Sequence, residues 1–442
     1  MALKRKLFHS ERLMHLVDDP SLPPVSLTFS FSVKGNIPEE RVRIALEKLQ
    51  TKHPALRARL KGLYLHFEES GYPPIPLKIV ERLSENTWRE VKDEFINTPF
   101  DCEVGPMLKL LWVRSDEMSE FVFNGLHVIL HWKACLLILK EFFEYLNFPE
   151  KEVKPYLPIV SMKQLMQGET LTLKQKLGSL RYVYKSSKGF KALAKVKKEA
   201  YPIHYDLSFY ISKDLSMNIL NLCKENKTYV GGLFCILASK LFKKHFHPEK
   251  SACKLQMSID QMRYFPPLKK DMVFSSATVI FPTVRIIDKM DVWKMARSFN
   301  DMLMERTITM QDPNNPKIIS ERGKVFHSFR KCFLVAEYYN LFIKDVIEYK
   351  KNTNEDHDFL FLNLGKPHPL PKNTEFEMNR VFSPEVLLPF HNPTIFGFGQ
   401  DYDDSFIFAF VSNEHYIPQE KMKVIVSEFK QSLEDLVKDE KI

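Results

Sequence analysis

The chain has 442 residues and a formal net charge of +9, with 44% hydrophobic, 27% charged and 12% aromatic residues. That length accommodates two domains with separate cores, and the composition is that of an ordinary soluble globular protein, not a disordered or fibrous one. The positive charge favours anionic partners such as phosphates, an acidic carrier protein or a membrane surface. No nucleic-acid motif or basic stripe interleaved with aromatics accompanies it, so nucleic acid is not an expected partner.

Val25–Val33 predicts the first strand, because Val25, Leu27, Phe29, Phe31 and Val33 alternate with Ser26, Thr28, Ser30 and Ser32. Gly35 and Asn36 break it, and Asn36 with Glu39 resembles a capping box. The helix that follows presents Val42, Ala45, Leu46 and Leu49, and His53-Pro54 stops it. Phe121–Leu146 is the stretch around which the chain is organised. Its first half is an apolar, strand-like run that delivers His127 to an edge. Its second half, with Leu136, Leu137, Leu139, Phe142, Phe143 and Leu146, is a helical stripe with one buried face.

From Lys174 to Lys198 the composition shifts to lysine and arginine with no Asp or Glu. Two readings stand: a solvated helix and linker between two halves, or a dock for an acidic carrier protein, CoA phosphates or anionic lipid through peripheral membrane contact. Beyond it the pattern restarts. Leu207–Ser212 reads as a strand, Leu215–Cys223 as a helix, and Thr228–Phe246 as a buried helix in which Gly231-Gly232 allows close packing. Phe281–Val284 and Phe359–Leu362 read as strands, and Val292–Met304 as a helix. The apolar run Phe406–Val411 reads as a central strand, and Lys421–Leu436 as the closing helix. These patterns divide the chain into 1–165, a basic helical linker 166–200, and 201–442.

No apolar run reaches the ~18–20 residues needed to cross a bilayer. The N-terminal MALKRKLFHSERLMH lacks the apolar segment of a secretory signal. Cys102, Cys135, Cys223, Cys235, Cys253 and Cys332 form no C-x-x-C pair and read as reduced thiols, so a cytoplasmic location is expected.

The segment Leu126-His127-Val128-Ile129-Leu130-His131-Trp132, followed by a Leu-rich helix, resembles the His-His-x-x-x-Asp-Gly signature of the condensation-domain superfamily. That superfamily includes nonribosomal peptide synthetase condensation domains, alcohol acetyltransferases and polyketide-associated acyltransferases. The second His is kept as His127, whereas Leu126, His131 and Trp132 stand where the signature has His, Asp and Gly. Thr98-Pro99-Phe100-Asp101, Ile259-Asp260-Gln261-Met262-Arg263 and Asn363-Leu364-Gly365 are similar to further segments of the family, in the same order. The resemblance implies an α/β fold of two chloramphenicol-acetyltransferase-like halves, a pseudo-dimer with a central tunnel, sufficient as a monomer. It also implies that His127 is the general base, that His131, Trp132 and Asn363 line the site, and that Asp260 and Arg263 form a structural pair.

A neutral imidazole near pH 7 can take a proton from a hydroxyl or amine attacking a thioester. The co-substrate implied is acyl-CoA or a phosphopantetheinyl thioester on an acyl carrier protein, with a small alcohol or amine as acceptor and no bound cofactor. No P-loop, G-x-G-x-x-G or G-x-S-x-G occurs, so no covalent Ser or Cys nucleophile is expected. His127 and His131 are four apart, but no glutamate lies between them and no third ligand is near, so no metal is expected. The altered motif leaves a second reading open: a catalytically inactive condensation-fold binding or scaffold protein.

Overall fold

The computed structural model describes residues 3–18, 24–195, 204–260, 262–275, 277–287, 289–311, 318–319, 325–326, 329–352, 357–382, 385–386, 390 and 392–439. They fall into two compact units, one of Met1–Thr170, Asp260–Ala277 and Pro367–Pro389, the other of Leu171–Ile259, Thr278–Lys366 and Phe390–Ile442. The division is therefore not the contiguous one expected from the sequence. Two later segments return to the first unit, where the strand Glu377–Val381 pairs with the first strand of its sheet.

In the first unit, β1 (Ser26–Lys34), β2 (Leu77–Glu81), β3 (Leu108–Arg114) and β4 (Met118–Leu126) lie in the order β1-β4-β3-β2. The β1–β4 and β4–β3 pairs are antiparallel, with Ser26 opposite Leu126 and Lys34 opposite Met118, while β2 and β3 are parallel. Helices α1 (Glu39–Lys52), α2 (Thr87–Asn97) and α3 (Trp132–Asn147) cover the sheet. Helix α1 begins at Glu39 behind Pro38, with no side-chain cap, so Asn36 does not cap it as its spacing suggested.

The Phe29 and Phe123 rings stack with centroids 5.1 Å apart, and Phe142 of α3 meets both Phe121 and Phe123 edge-on at 5.1 Å. Each such pair adds ~1 kcal/mol beyond the area it buries. On the opposite face Trp88, Phe95 and Ile96 of α2 pack on Leu111, Val113 and Val122. With both faces covered, the polar row of β1 is buried as well as the apolar one. Its hydroxyls are satisfied internally: Asn124 Nδ2 donates to Ser26 Oγ at 2.9 Å and to Thr28 Oγ1 at 3.0 Å. Period-two alternation thus marks the strand but does not mark a solvent face here.

The second unit begins with α4 (Leu173–Leu193), the basic segment, which packs within this unit and is not a free linker. Val183 packs with Leu171 and Val335, and Phe190 stacks on Tyr349 at 4.7 Å. Helices α5 (Lys213–Glu225) and α6 (Val230–Phe246) precede β5 (Ala252–Asp260), β6 (Phe359–Gly365), β7 (Ile395–Gln400) and β8 (Phe406–Ser412), and α7 (Gln419–Asp439) closes the unit. The sheet runs β5-β6-β7-β8, parallel between β5, β6 and β7 and antiparallel between β7 and β8.

Strand β8 is buried throughout, as its continuous apolar run implies. Phe234 of α6 meets Phe398, Phe406 and Phe408 edge-on at 5.0, 5.2 and 4.9 Å. The expected strand Phe281–Val284 is displaced to Thr283–Arg285, behind Pro282, which has no N–H to donate to a ladder.

Of the two adjacent glycines in α6, Gly232 is the one that close packing requires. A Cβ there would lie 2.4 Å from Oδ1 of Asn300, a buried side chain held by Thr228 Oγ1 at 2.6 Å. Gly232→Ala is expected to lower stability by about 1–3 kcal/mol through overpacking. Gly231→Ala, where the nearest atom would be 3.4 Å away, serves as the tolerated control in thermal melts.

Candidate active site at the strand-to-helix turn

Strand β4 ends at Leu126, and the chain reverses through His127–Ile129 before α3 begins at Trp132. The amides of Ile129 and Leu130 donate to Leu126 O at 3.1 and 3.2 Å, and His127 N–H donates to Val25 O at 3.0 Å. Leu130 folds back over the strand, so a Cβ at Gly125 would sit 2.4 Å from Leu130 Cδ1. This explains a glycine in an otherwise apolar strand.

The turn fixes the backbone of His127 while leaving the residue only half-buried. Its Nδ1 is buried without a hydrogen-bond partner. Burial lowers its pKa below the ordinary 6.5 and nearby His131 pushes the same way, against the carbonyls of His127 and Leu130. The ring is thus held neutral near pH 7.

His131 is the N-cap of α3 and is buried. Its Nε2 lies 3.5 Å from Asp260 Oδ1, an ion-pair distance outside hydrogen-bond geometry, and Lys133 Nζ donates to Asp260 Oδ2 at 2.8 Å. Met262 N–H donates to Asp260 Oδ1 at 3.0 Å. Burial alone would raise the Asp260 pKa, but His131, Lys133 and the Met262 amide together hold it well below the usual carboxylate range. The side chain of Arg263 lies outside the described residues, and so does the expected pairing of Asp260 with Arg263. Among the described residues, His131 and Lys133 are partners of Asp260. An imidazole thus stands at the N-cap of α3, and a carboxylate faces it from the 260–277 segment.

No family model and no curated protein sequence matches this chain. Solved structures do. The condensation domain of the monacolin K polyketide synthase MokA superposes with a TM-score of 0.67 at 9% identity, over 98% of each chain. The fold is that of the condensation domains. Polyketide synthase associated protein 5 from Mycobacterium tuberculosis shares the fold at TM-score 0.66 and 12% identity, over 99% of this chain and 100% of that one. The X-domain from teicoplanin biosynthesis, solved in complex with OxyB, gives 0.62 at 9% identity, over 99% of this chain and 94% of that one.

Within the condensation fold the other expected site residues take these places. Trp132 is the first residue of α3, half-buried and without positive φ, so the backbone there tolerates a large side chain. Asn363 is an exposed residue of β6 in the second unit, and its Oδ1 accepts from Gly365 N at 2.9 Å. His127 lies in a turn and His131 at a cap, so they do not share a helix face. Among the described residues, no group of three His, Cys, Asp or Glu could hold a metal. Cys102, Cys135, Cys223, Cys235 and Cys253 are unpaired. Burial pushes the Cys102 thiol to about 11 and those of Cys223 and Cys253 to about 12, leaving no reactive thiolate among them.

The sequence reading missed a buried ionic network beside this turn. Glu141 of α3 is 2.6 Å from Lys52 Nζ and 2.7 Å from His53 Nε2. Lys52 Nζ also reaches Asp271 Oδ2 at 2.8 Å, and Tyr156 O–H donates to Asp271 Oδ1 at 2.5 Å. Val273 N–H approaches His53 Nδ1 at 3.3 Å, which leaves Nε2 as the protonated nitrogen facing Glu141. Ser275 Oγ, two residues on, lies 3.5 Å from the carbonyl of His127. A glutamate inside an apolar helix was the available signal, since buried carboxylates need partners.

Two predictions arise from these charges. His131→Asp would set a carboxylate against Asp260 and is expected to lower stability by about 3 kcal/mol, whereas His131→Asn should cost less. An unchanged or raised melting temperature for the Asp variant would contradict the pairing with Asp260. The second prediction concerns pH. Burial holds His53 below 6.5 and His357 down at about 3, so between those values the unfolded chain binds protons that the folded chain refuses. Stability is therefore fully present above pH 6.5 and declines as pH falls below it, by up to about 1 kcal/mol per unit for each such histidine. Urea unfolding between pH 7.5 and 4.5 measures this directly.

Proposed function

We propose that this protein transfers an acyl group from a thioester, acyl-CoA or an acyl carrier protein's phosphopantetheine, to a hydroxyl or amine acceptor. The observation that carries the reading is His127: a half-buried imidazole, held neutral by burial, on a rigid turn at the head of α3. In that role the unprotonated ring nitrogen takes the acceptor's proton as its oxygen or nitrogen attacks the thioester carbonyl. The tetrahedral intermediate collapses with cleavage of the C–S bond, and the thiolate leaves with the proton from the imidazolium. The ester or amide and a free thiol are the products, with no acyl-enzyme and no metal in the cycle.

A second reading, a binding or scaffold protein, draws on the Leu126, His131 and Trp132 replacements and on the His131–Asp260–Lys133 cluster they accompany. The teicoplanin X-domain, solved with OxyB, is a protein of this fold that engages another protein.

Free-thiol release from a panel of acyl-CoAs with alcohols and amines separates the two. Acceptor-dependent release should fall by roughly 10²–10⁴-fold in His127→Ala. Release retained in that variant would remove His127 from the mechanism, and no release with any pair would favour the binding reading. The pH profile offers an independent check. Because the active form is the neutral ring and its pKa is lowered, kcat/KM should already be level above pH 6.5 and decline only below it.

A further inference from the structure

Helix α4 turns Ser179, Val183 and Ser187 inward. The opposite side exposes one line of residues at alternating spacings of three and four: Lys174, Leu177, Arg181, Tyr184, Lys188 and Lys191. Leu177 is 61% and Tyr184 47% exposed. Lys188 Nζ lies over the Tyr184 ring at 4.6 Å. The helix contains no Asp or Glu, and among the described residues none of these cations has an acidic partner. At ~1.5 Å per residue the line extends for about 25 Å. No helix of the described residues is long and apolar enough to cross a membrane.

From this arrangement we propose that the outer face of α4 is a docking surface for an anionic lipid bilayer, with the helix lying in the interface plane. The charge attracts anionic headgroups, and the intervening Leu177 and Tyr184 reach the hydrocarbon boundary below them. A convex helix face encloses no small molecule, so a free anion meets the cations one at a time. Tyr184 also meets Phe342 at 5.9 Å, but a purely charged partner would leave the exposed Leu177 without a role. A bilayer interface accommodates both kinds of side chain along the same line. The proposal is independent of the chemistry at His127.

Flotation of the full chain with vesicles of phosphatidylcholine plus about 30 mol% phosphatidylserine, against pure phosphatidylcholine, tests it. Recruitment is expected only by the anionic vesicles, with release in about 0.5 M salt. The triple variant K174Q/R181Q/K188Q should lose affinity on the order of a hundredfold, as each cation near the surface contributes roughly fivefold. The variant L177S/Y184S, with charge intact, should also bind more weakly, which separates insertion from simple attraction. Circular dichroism melts confirm that these exposed changes leave the fold intact. Absence of recruitment by anionic vesicles, or recruitment unaffected in both variants, would overturn the proposal. So would capture of an acidic carrier protein through the same cations without vesicle binding.

Discussion

A carboxylate buried in a helix is tolerable only if its charge is met, and in α3 that carboxylate is Glu141. Lys52 and His53 meet it from the end of α1, so the pairing ties α1 to α3. The same two residues also hold the 260–277 segment, through Asp271 and the Val273 amide. From that segment Asp260 reaches the first turn of α3, and Ser275 approaches the His127 carbonyl. The position of the candidate site thus depends on a charge cluster that contains none of its expected catalytic residues.

The same segment decides what faces His131. A buried imidazole at position 131 would be poorly placed against a cation, and the structure sets it against Asp260. Lys133 and the Met262 amide donate to the same carboxylate and, with His131, keep it ionised. Trp132 starts α3 in ordinary backbone conformation, without backbone strain. In the turn itself Leu130 covers Gly125, and His127 is held half-buried by its backbone hydrogen bond to Val25. Neutrality of that imidazole is a consequence of its burial and of the neighbouring His131.

The second unit shows the same separation between local pattern and long-range pairing. The aromatic density of β7, β8, α6 and α7 follows from runs visible in the chain, and Phe234 simply occupies the space those runs create. The basic helix α4 is different. Its composition was visible as an acid-free stretch, but whether it joins two domains or belongs to one depended on Val183 and Phe190 finding Val335 and Tyr349.

The sequence by itself determined β1, α1, α3, α6 and α7, the α/β class and the interior position of Phe406–Val411. These depend on residues a few positions apart, where periodicity decides which side chains share a face. Only the tertiary structure decided that the serine row of β1 is buried, that Gly232 and not Gly231 is sterically required, and that His131 faces Asp260. It alone brought His53 to Glu141, 88 residues away, and Lys52 to Asp271, 219 residues away. Such contacts depend on the path by which the chain returns. One carboxylate looks like another in a sequence until the fold sets a cation beside it.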